Sequence, residues 1–249
     1  SAWVAACSRR ADKFMHGAAA IQSADKEMNM IAGITESAGA NIQWLQEQFF
    51  AEEKRKYGDR IFEYMDQVIK RIPPGSDHLI CTPWMLGERC PVSSTTTRAT
   101  LFNISMVHTR EHLMRAVYEG IGYNLRWILE NYSKDYGFSC DNFRIIGGGA
   151  LDDVWMQIIA DITGKSFSVV RDPRNAGAVG AAVVALIGLG ELPGFSAAKD
   201  FVKVEKRYKP DDENRKIYDD LFEDYKRVYH SLKDTYIKAN GDRFKGEEQ

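Results

Sequence analysis

The sequence predicts an α/β fold, a mixed sheet flanked by helices. Two successive strand-to-helix units lie between residues 142 and 189, and alternation of that kind builds a layered sheet with right-handed crossovers. Three short strand patterns open the chain and a long amphipathic helical pattern closes it. With no internal repeat and no Pro/Gly/Ser-rich linker, the 249 residues read as one domain.

Each element has a local reason. Residues 3–7, 14–21 and 28–34 are apolar runs separated by Arg9, Arg10, Asp25 and Lys26, which predicts an antiparallel meander. Ser37 is placed to cap a helix carrying Ile42, Leu45 and Phe49. The run Glu52, Glu53, Lys54, Arg55 and Lys56 reads as a solvated face or loop. A helix over 59–72 repeats Ile61, Phe62, Met65, Val68 and Ile69 at three-to-four spacing and is stopped by Pro73-Pro74-Gly75. Residues 79–83 read as a strand, and 91–98 as a long loop rich in Ser and Thr, of a length usually kept for function or mobility.

From 108 to about 132 a helix with Thr109 at its start carries Leu113, Val117, Ile121, Leu125 and Ile128 along one side. Residues 142–146 form a strand, Gly147-Gly148-Gly149 a turn, and Leu151, Val154, Trp155, Ile158, Ile159 and Ile162 a helical stripe ending at Gly164. A strand at 166–170, a turn at Asp172-Pro173 and a small-residue helix at 176–189 follow. The tail, 211 to about 240, faces Ile217, Leu221, Tyr225, Val228 and Leu232 inward.

Charge and composition exclude several functions. The 33 basic and 35 acidic side chains leave a net charge of -2, which offers no bulk attraction to nucleic acid or anionic membrane. Cys7, Cys81, Cys90 and Cys140 form no C-x-x-C pair, so no zinc or dithiol motif is expected, and reduced thiols of a cytosolic protein are. No run approaches the roughly 18 apolar residues of a membrane span, and no signal pattern opens the chain. The first residue is Ser1, and the opening reads as a strand entered partway through, so a piece of a longer protein is expected.

The glycine turn is the first candidate site. A strand running into three glycines and then a helix lets backbone N–H groups approach a ligand beside the positive end of a helix dipole. A dinucleotide fingerprint fails because Asp152 stands where a small residue is required. A Walker A loop ending in Gly164-Lys165-Ser166 fails too, since Ile159 occupies its first glycine position and a helix precedes it where a strand is needed. On the residues alone, a nucleotide turn and a merely tight turn both stand. Gly39 in a first helical turn is costly without a close approach, and Gln43 lies one turn later on the same face; a surface Gln and an incidental Gly are the plain alternative.

Five segments together carry a resemblance. They are Glu36-Ser37-Ala38-Gly39-Ala40-Asn41-Ile42-Gln43-Trp44-Leu45; Thr82-Pro83-Trp84-Met85-Leu86-Gly87-Glu88-Arg89-Cys90-Pro91; residues 99–119; Ile145-Ile146-Gly147-Gly148-Gly149-Ala150 with Trp155, Gln157, Ala160 and Asp161; and Ala176-Gly177-Ala178-Val179-Gly180-Ala181-Ala182. The chain resembles the C-terminal half of the FGGY carbohydrate kinases, and within them the xylulokinase-like branch. The third segment departs from the family's second signature at Asn103, where the family has Gly, a position expected at a strand end.

The resemblance implies an actin-like ATPase domain, one of two ribonuclease H-like halves facing a cleft, with residues 1–249 forming the C-terminal nucleotide-binding domain. It implies transfer of the γ-phosphoryl of Mg²⁺-ATP to a sugar or polyol hydroxyl in the cytoplasm, D-xylulose becoming D-xylulose 5-phosphate by branch similarity, with ribulose, gluconate and glycerol open. Its partners would be ATP, the sugar and its own N-terminal domain, with no nucleic acid and no membrane, and the tail helix is available for a homodimer contact. The catalytic base is expected in the N-terminal half, shortly before a Gly-Thr-Ser loop whose last residue Ser1 resembles. Carried over by position, Ser1 and Gly39 face the phosphates, Gln43 the ribose, Gly148 and Gly149 the adenosine, and Asp153 the adenine, with Asp152 an equal candidate. Glu88 and Arg89 match a Gly-Glu-Arg-x-Pro stretch, as a buried ion pair or as ligand contacts. Two other classes are distinguishable: an actin-like module switched by nucleotide, which needs no upstream base, and a nicotinamide oxidoreductase, which Asp152 and Arg171 disfavour.

Overall fold

The computed structural model describes residues 1–8 and 14–241; Arg9 and Arg10, which separate the first two apolar runs, lie outside them. The chain opens with β1 (Trp3–Ser8), β2 (Ala19–Gln22) and β3 (Asn29–Ile34), an antiparallel sheet in the order β1-β3-β2, with Trp3 opposite Ile34 and Ala19 opposite Ala32. This corrects the expected meander. β3 holds Ile31, Ala32 and Gly33, all buried, and the most apolar strand gains most from the centre, where both edges of its backbone are paired.

Three helices follow: α1 (Gly39–Phe49), α2 (Ala51–Tyr57) and α3 (Ile61–Ile69). Ser37 does not cap α1. Its hydroxyl donates to Pro83 O at 3.1 Å, beside Asn41 Nδ2 on the same oxygen at 2.7 Å, so α1 starts without a side-chain cap. The charged run expected in a loop or solvated face is α2, a helix with no buried residue. α3 buries Ile61, Met65, Val68 and Ile69, whereas Phe62 points to solvent.

β4 (Ile80–Thr82) and β5 (Thr100–Phe102) form a short antiparallel ribbon around the 91–98 loop. β5 has no sequence signature, since two of its three residues are exposed. Asn103, at the end of β5, has φ 67°, a left-handed conformation that Asn tolerates almost as Gly does, and its Nδ2 donates to His78 O at 3.1 Å. The departure from the family signature therefore keeps the backbone shape.

α4 (Arg110–Tyr136) is the central element. Only a stripe was expected to face inward, but residues 112–124 are buried without a break, as in a helix surrounded by other elements. At its start Thr109 N donates to His112 Nδ1 at 3.2 Å. Trp84, fully buried, meets α4 through Nε1 to Asn124 Oδ1 at 3.0 Å and stands edge-on to Tyr225 and Tyr229 at 5.5 and 5.4 Å.

Gly120 lets α4 touch the backbone of β4, since a Cβ there would lie 2.1 Å from Cys81 O. Gly120→Ala is therefore expected to cost about 3 kcal/mol by overpacking, although Ala is the better helix former. A urea unfolding midpoint equal to that of the parent chain would contradict the contact.

β6 (Asn142–Ile145) and β7 (Ser166–Val170) are parallel, joined by α5 (Asp153–Thr163). β8 (Val204–Tyr208), absent from the sequence reading, adds antiparallel to β7 and makes the sheet mixed. Four of its five residues are exposed, so its Val-Glu-Lys-Arg-Tyr shows no apolar run. α6 (Ala176–Gly188) is apolar yet buries only Val183, with Val179 and Val184 open to solvent. α7 (Asp212–Asn240) closes the core with Tyr218, Leu221, Phe222, Tyr225 and Val228. Among the described residues no helix is long and apolar enough to cross a membrane, and all four cysteines are free thiols.

Candidate functional site

Two groups of candidate residues form on elements that pack against α4. The first is built where β1 and β3 end. Ala2 N donates to Thr35 Oγ1 at 2.8 Å and Thr35 N to Ala2 O at 3.0 Å, which puts exposed Ser1 beside the segment leading into α1. Gly39 is the first residue of α1, exposed, with no atom within 4 Å of where a Cβ would be. That helix end has neither a side-chain cap nor an acidic residue in its first turn. The Gly39 backbone therefore opens onto free space beside the positive end of the helix dipole, an arrangement that receives an anion. Gln43, one turn on, is exposed, and its Nε2 donates to Glu47 Oε1 at 3.0 Å. Its carbonyl oxygen stays available.

The second group surrounds the glycine turn. Gly147, at φ 94°, donates its N–H to Pro173 O at 2.7 Å, which ties the end of β6 to the loop after β7. Gly148 and Gly149 are exposed. At Gly148 the nearest atom to a Cβ would be Arg174 Nε at 4.0 Å, whereas at Gly149 a Cβ would meet Trp155 Cζ3 at 2.8 Å. Gly148 thus leaves room for a ligand, and Gly149 lets the turn rest on the indole.

The two neighbouring aspartates divide their roles. Asp152 caps α5, its Oδ1 accepting from Trp155 N at 2.8 Å, and burial holds its carboxyl above the usual carboxylate range. Asp153 is exposed and accepts from Lys206 Nζ at 2.7 Å and from Tyr208 Oη at 2.6 Å. Those two hydrogen bonds keep its carboxyl below the usual range, so at neutral pH it is an anion with acceptor positions to spare. Asp153 also lines a cavity of about 510 Å³ with Lys70, Arg115, Gln157, Asp161 and Asn214. Its two partners lie on β8 and had no signal in the sequence.

Glu88 and Arg89 do not pair with each other. Glu88 is buried and accepts from Glu36 N at 2.6 Å, Arg89 N at 2.8 Å and Asn124 Nδ2 at 2.8 Å; burial pushes its carboxyl up to about 7 against those bonds. Arg89 is half exposed and binds Glu36 Oε2 through Nε at 2.7 Å. The expected buried ion pair is replaced by a buried acceptor for two backbone amides, one of them from Glu36 in the segment that leads into α1, and by a surface pair of Arg89 with that same Glu36. The arrangement holds that lead-in, and with it Gly39, against α4. Among the described residues no group of three or more His, Cys, Asp or Glu is placed to hold a metal ion.

Comparison with known proteins agrees with this architecture. The profile of the FGGY family of carbohydrate kinases, C-terminal domain, matches residues 7–189. A xylulose kinase of Bacillus subtilis is 32% identical over 210 residues, covering 83% of this chain and 40% of that protein. A gluconokinase of Bacillus licheniformis is 27% identical over 212 residues, covering 84% of this chain and 41% of that protein. The crystal structure of xylulose kinase from Rhodospirillum rubrum superposes with a TM-score of 0.82 at 26% identity, covering 94% of this chain and 46% of that one. The chain thus spans about two-fifths of the length of the curated relatives it matches. The expected actin-like ATPase domain is the fold it has.

Proposed function

The chain belongs to the FGGY family of carbohydrate kinases, and from that premise we propose that it is the C-terminal, nucleotide-binding domain of an enzyme that transfers the γ-phosphoryl of ATP to a hydroxyl of D-xylulose. The observation that carries the nucleotide assignment is the uncapped, unobstructed start of α1 at Gly39. In this reading the first N–H groups of α1 and the backbone at Ser1 orient the phosphates, and Gln43 meets the ribose. The open backbone at Gly148 and Gly149 admits the nucleoside. Asp153, anionic and only partly engaged by Lys206 and Tyr208, accepts from the exocyclic amine of adenine, and Asp152 is spent on capping α5.

Phosphoryl transfer asks a protein mainly for positioning and charge stabilisation. Mg²⁺ accompanies ATP in the family resemblance; among the described residues no group of three or more His, Cys, Asp or Glu is placed to hold a metal ion. The general base and most sugar contacts are assigned to the remainder of the kinase, in keeping with a chain that spans about two-fifths of its relatives. α6 supports the same division: a 13-residue apolar helix that buries only Val183 exposes Val179 and Val184 as a surface for that other half.

The test is an ADP-release assay of the longer protein over ketoses, polyols and sugar acids. D-xylulose is expected to give the highest kcat/KM. A higher value with gluconate would move the assignment toward the gluconokinase relatives. The 249-residue chain alone is expected to bind ADP weakly by calorimetry and to show no sugar-dependent turnover, because half of the cleft is elsewhere; turnover by the chain alone would contradict that division.

A further inference from the structure

Beneath the glycine turn four polar side-chain atoms are buried with no hydrogen-bond partner: Asp66 Oδ1 on α3, Tyr118 Oη on α4, and Asp152 Oδ2 and Trp155 Nε1 at the start of α5. Such atoms are uncommon in a folded interior, and each calls for an explanation. The four form one patch. The rings of Tyr118 and Trp155 are 5.5 Å apart, Asp152 Oδ1 holds Trp155 N, and the Asp66 and Asp152 carboxyls act directly on each other, with Tyr118 also within reach of Asp152. In this patch the two carboxyls act on each other, and a single proton between them turns their repulsion into a hydrogen bond.

We propose that Asp66 is a positioning residue for the nucleotide turn: it carries a proton, donates it in a hydrogen bond to the unpaired Oδ2 of Asp152, and so fixes the cap of α5 and the Gly147–Leu151 backbone above it. This rests on the reading that the turn meets nucleotide. The chain of contacts is short. Asp66 meets Asp152, Asp152 holds Trp155 N, and the Trp155 ring supports Gly149. When the proton leaves, two carboxylates face each other in a half-buried site, and their repulsion acts on the cap that shapes the turn.

The surroundings agree. Burial, and then the charge of Asp152, push the Asp66 carboxyl up to about 7. The other charges reaching it are Asp153, and Lys70 at the end of its own helix. On α4, Arg115 is committed to Glu119, Ile69 O and Ile72 O. Beyond α3, Arg60 is paired with Glu63 and Glu53 with Arg110. Lys206 on β8 is held by Asp153. Of these cations only Lys70 acts on the Asp66 carboxyl, and burial and the charge of Asp152 outweigh it. Because the folded value lies above that of an unfolded carboxyl, the folded chain holds the extra proton, and the associated stability is lost as pH rises through about 7.

The test uses the 249-residue chain labelled with [¹⁵N]glycine. In the parent chain the amide resonances of Gly147, Gly148 and Gly149 are expected to titrate with a midpoint near 7. In Asp66→Asn, an isostere of the protonated acid, they are expected to stay at the low-pH positions. ADP affinity by calorimetry is expected to weaken several-fold across that midpoint in the parent and to stay level in Asp66→Asn. Glu88 also titrates near 7 but touches neither the cap nor Trp155, so only the difference between the two chains is read. Glycine resonances that do not titrate in the parent would overturn the proposal without any variant. So would resonances that still titrate in Asp66→Asn, or an ADP affinity indifferent to pH in a parent whose turn does titrate. A chain that binds no ADP would end the nucleotide reading instead, while the glycine titration still decides whether the shared proton shapes the turn.

Discussion

Replacing Glu119 by Ala is expected to lower the unfolding free energy by about 3–5 kcal/mol, the usual cost of stranding one partner of a buried ion pair. Glu119 is almost wholly buried on α4. It accepts from Arg115 Nε at 2.7 Å, Gly75 N at 2.9 Å, Ser76 Oγ at 2.8 Å and Tyr218 Oη at 2.9 Å, and so joins α4 to the turn after α3 and to α7. That turn is strained: Gly75, Ser76, Asp77 and His78 have φ values of 82°, 50°, 51° and 64°. Left-handed conformations at non-glycine residues persist only where surrounding contacts impose them. Removing Glu119 therefore strands Arg115 and frees the turn together. Urea unfolding followed by tryptophan fluorescence measures the loss, and a change below about 1 kcal/mol would be inconsistent with a hub of this kind. The pair Arg115→Met with Glu119→Leu is expected to recover part of the loss, since no charge is then left uncompensated. The remainder reports the bonds to the Gly75 turn.

The second large effect is expected at Gly39, on activity and not on folding. No atom lies within 4 Å of a Cβ built there, so Gly39→Val leaves the unfolding free energy within about 0.5 kcal/mol, as for surface changes generally. A branched side chain at the start of α1 nevertheless occupies the space where the phosphates are proposed to lie. Displacing a reacting group by about 1 Å costs on the order of 100-fold, and that loss is expected in kcat/KM for ATP of the longer protein. A stable variant with unchanged kinetics would remove Gly39 from the phosphate site. The contrast is informative because Glu119→Ala and Gly39→Val lie in family motifs that look alike on paper, and only packing separates their consequences.

Much of the architecture was legible beforehand. α1, α3, α4, α5 and α7 carry apolar residues at helical spacing, a pattern that local geometry alone turns into an amphipathic face. The glycines of the turn and Gly39 stand out because their backbone freedom is costly without a use. β5 and β8 were invisible, being short and largely exposed strands whose residues show neither alternation nor an apolar run. α2 was hidden for a related reason, since a helix without a buried face has no periodic signal. Ser37 illustrates a third kind of miss: a Ser before a helix reads as a cap, yet Pro83 O, 46 residues away, takes its hydroxyl.

By itself, the sequence determined the family, the type of most elements and the positions where the backbone must stay bare, because those depend on neighbours along the chain and on side-chain chemistry. The tertiary structure decided the strand order β1-β3-β2, the separation of Glu88 from Arg89, the division of labour between Asp152 and Asp153, and the meeting of Asp66 with Asp152 beneath the glycine turn. Asp66 and Asp152 are brought together by the packing of α3 and α5 on α4; burial raises both carboxyls, and the bond that Asp152 accepts from Trp155 N offsets it there. Burial and long-range approach are properties of the packed chain, and no local pattern encodes them.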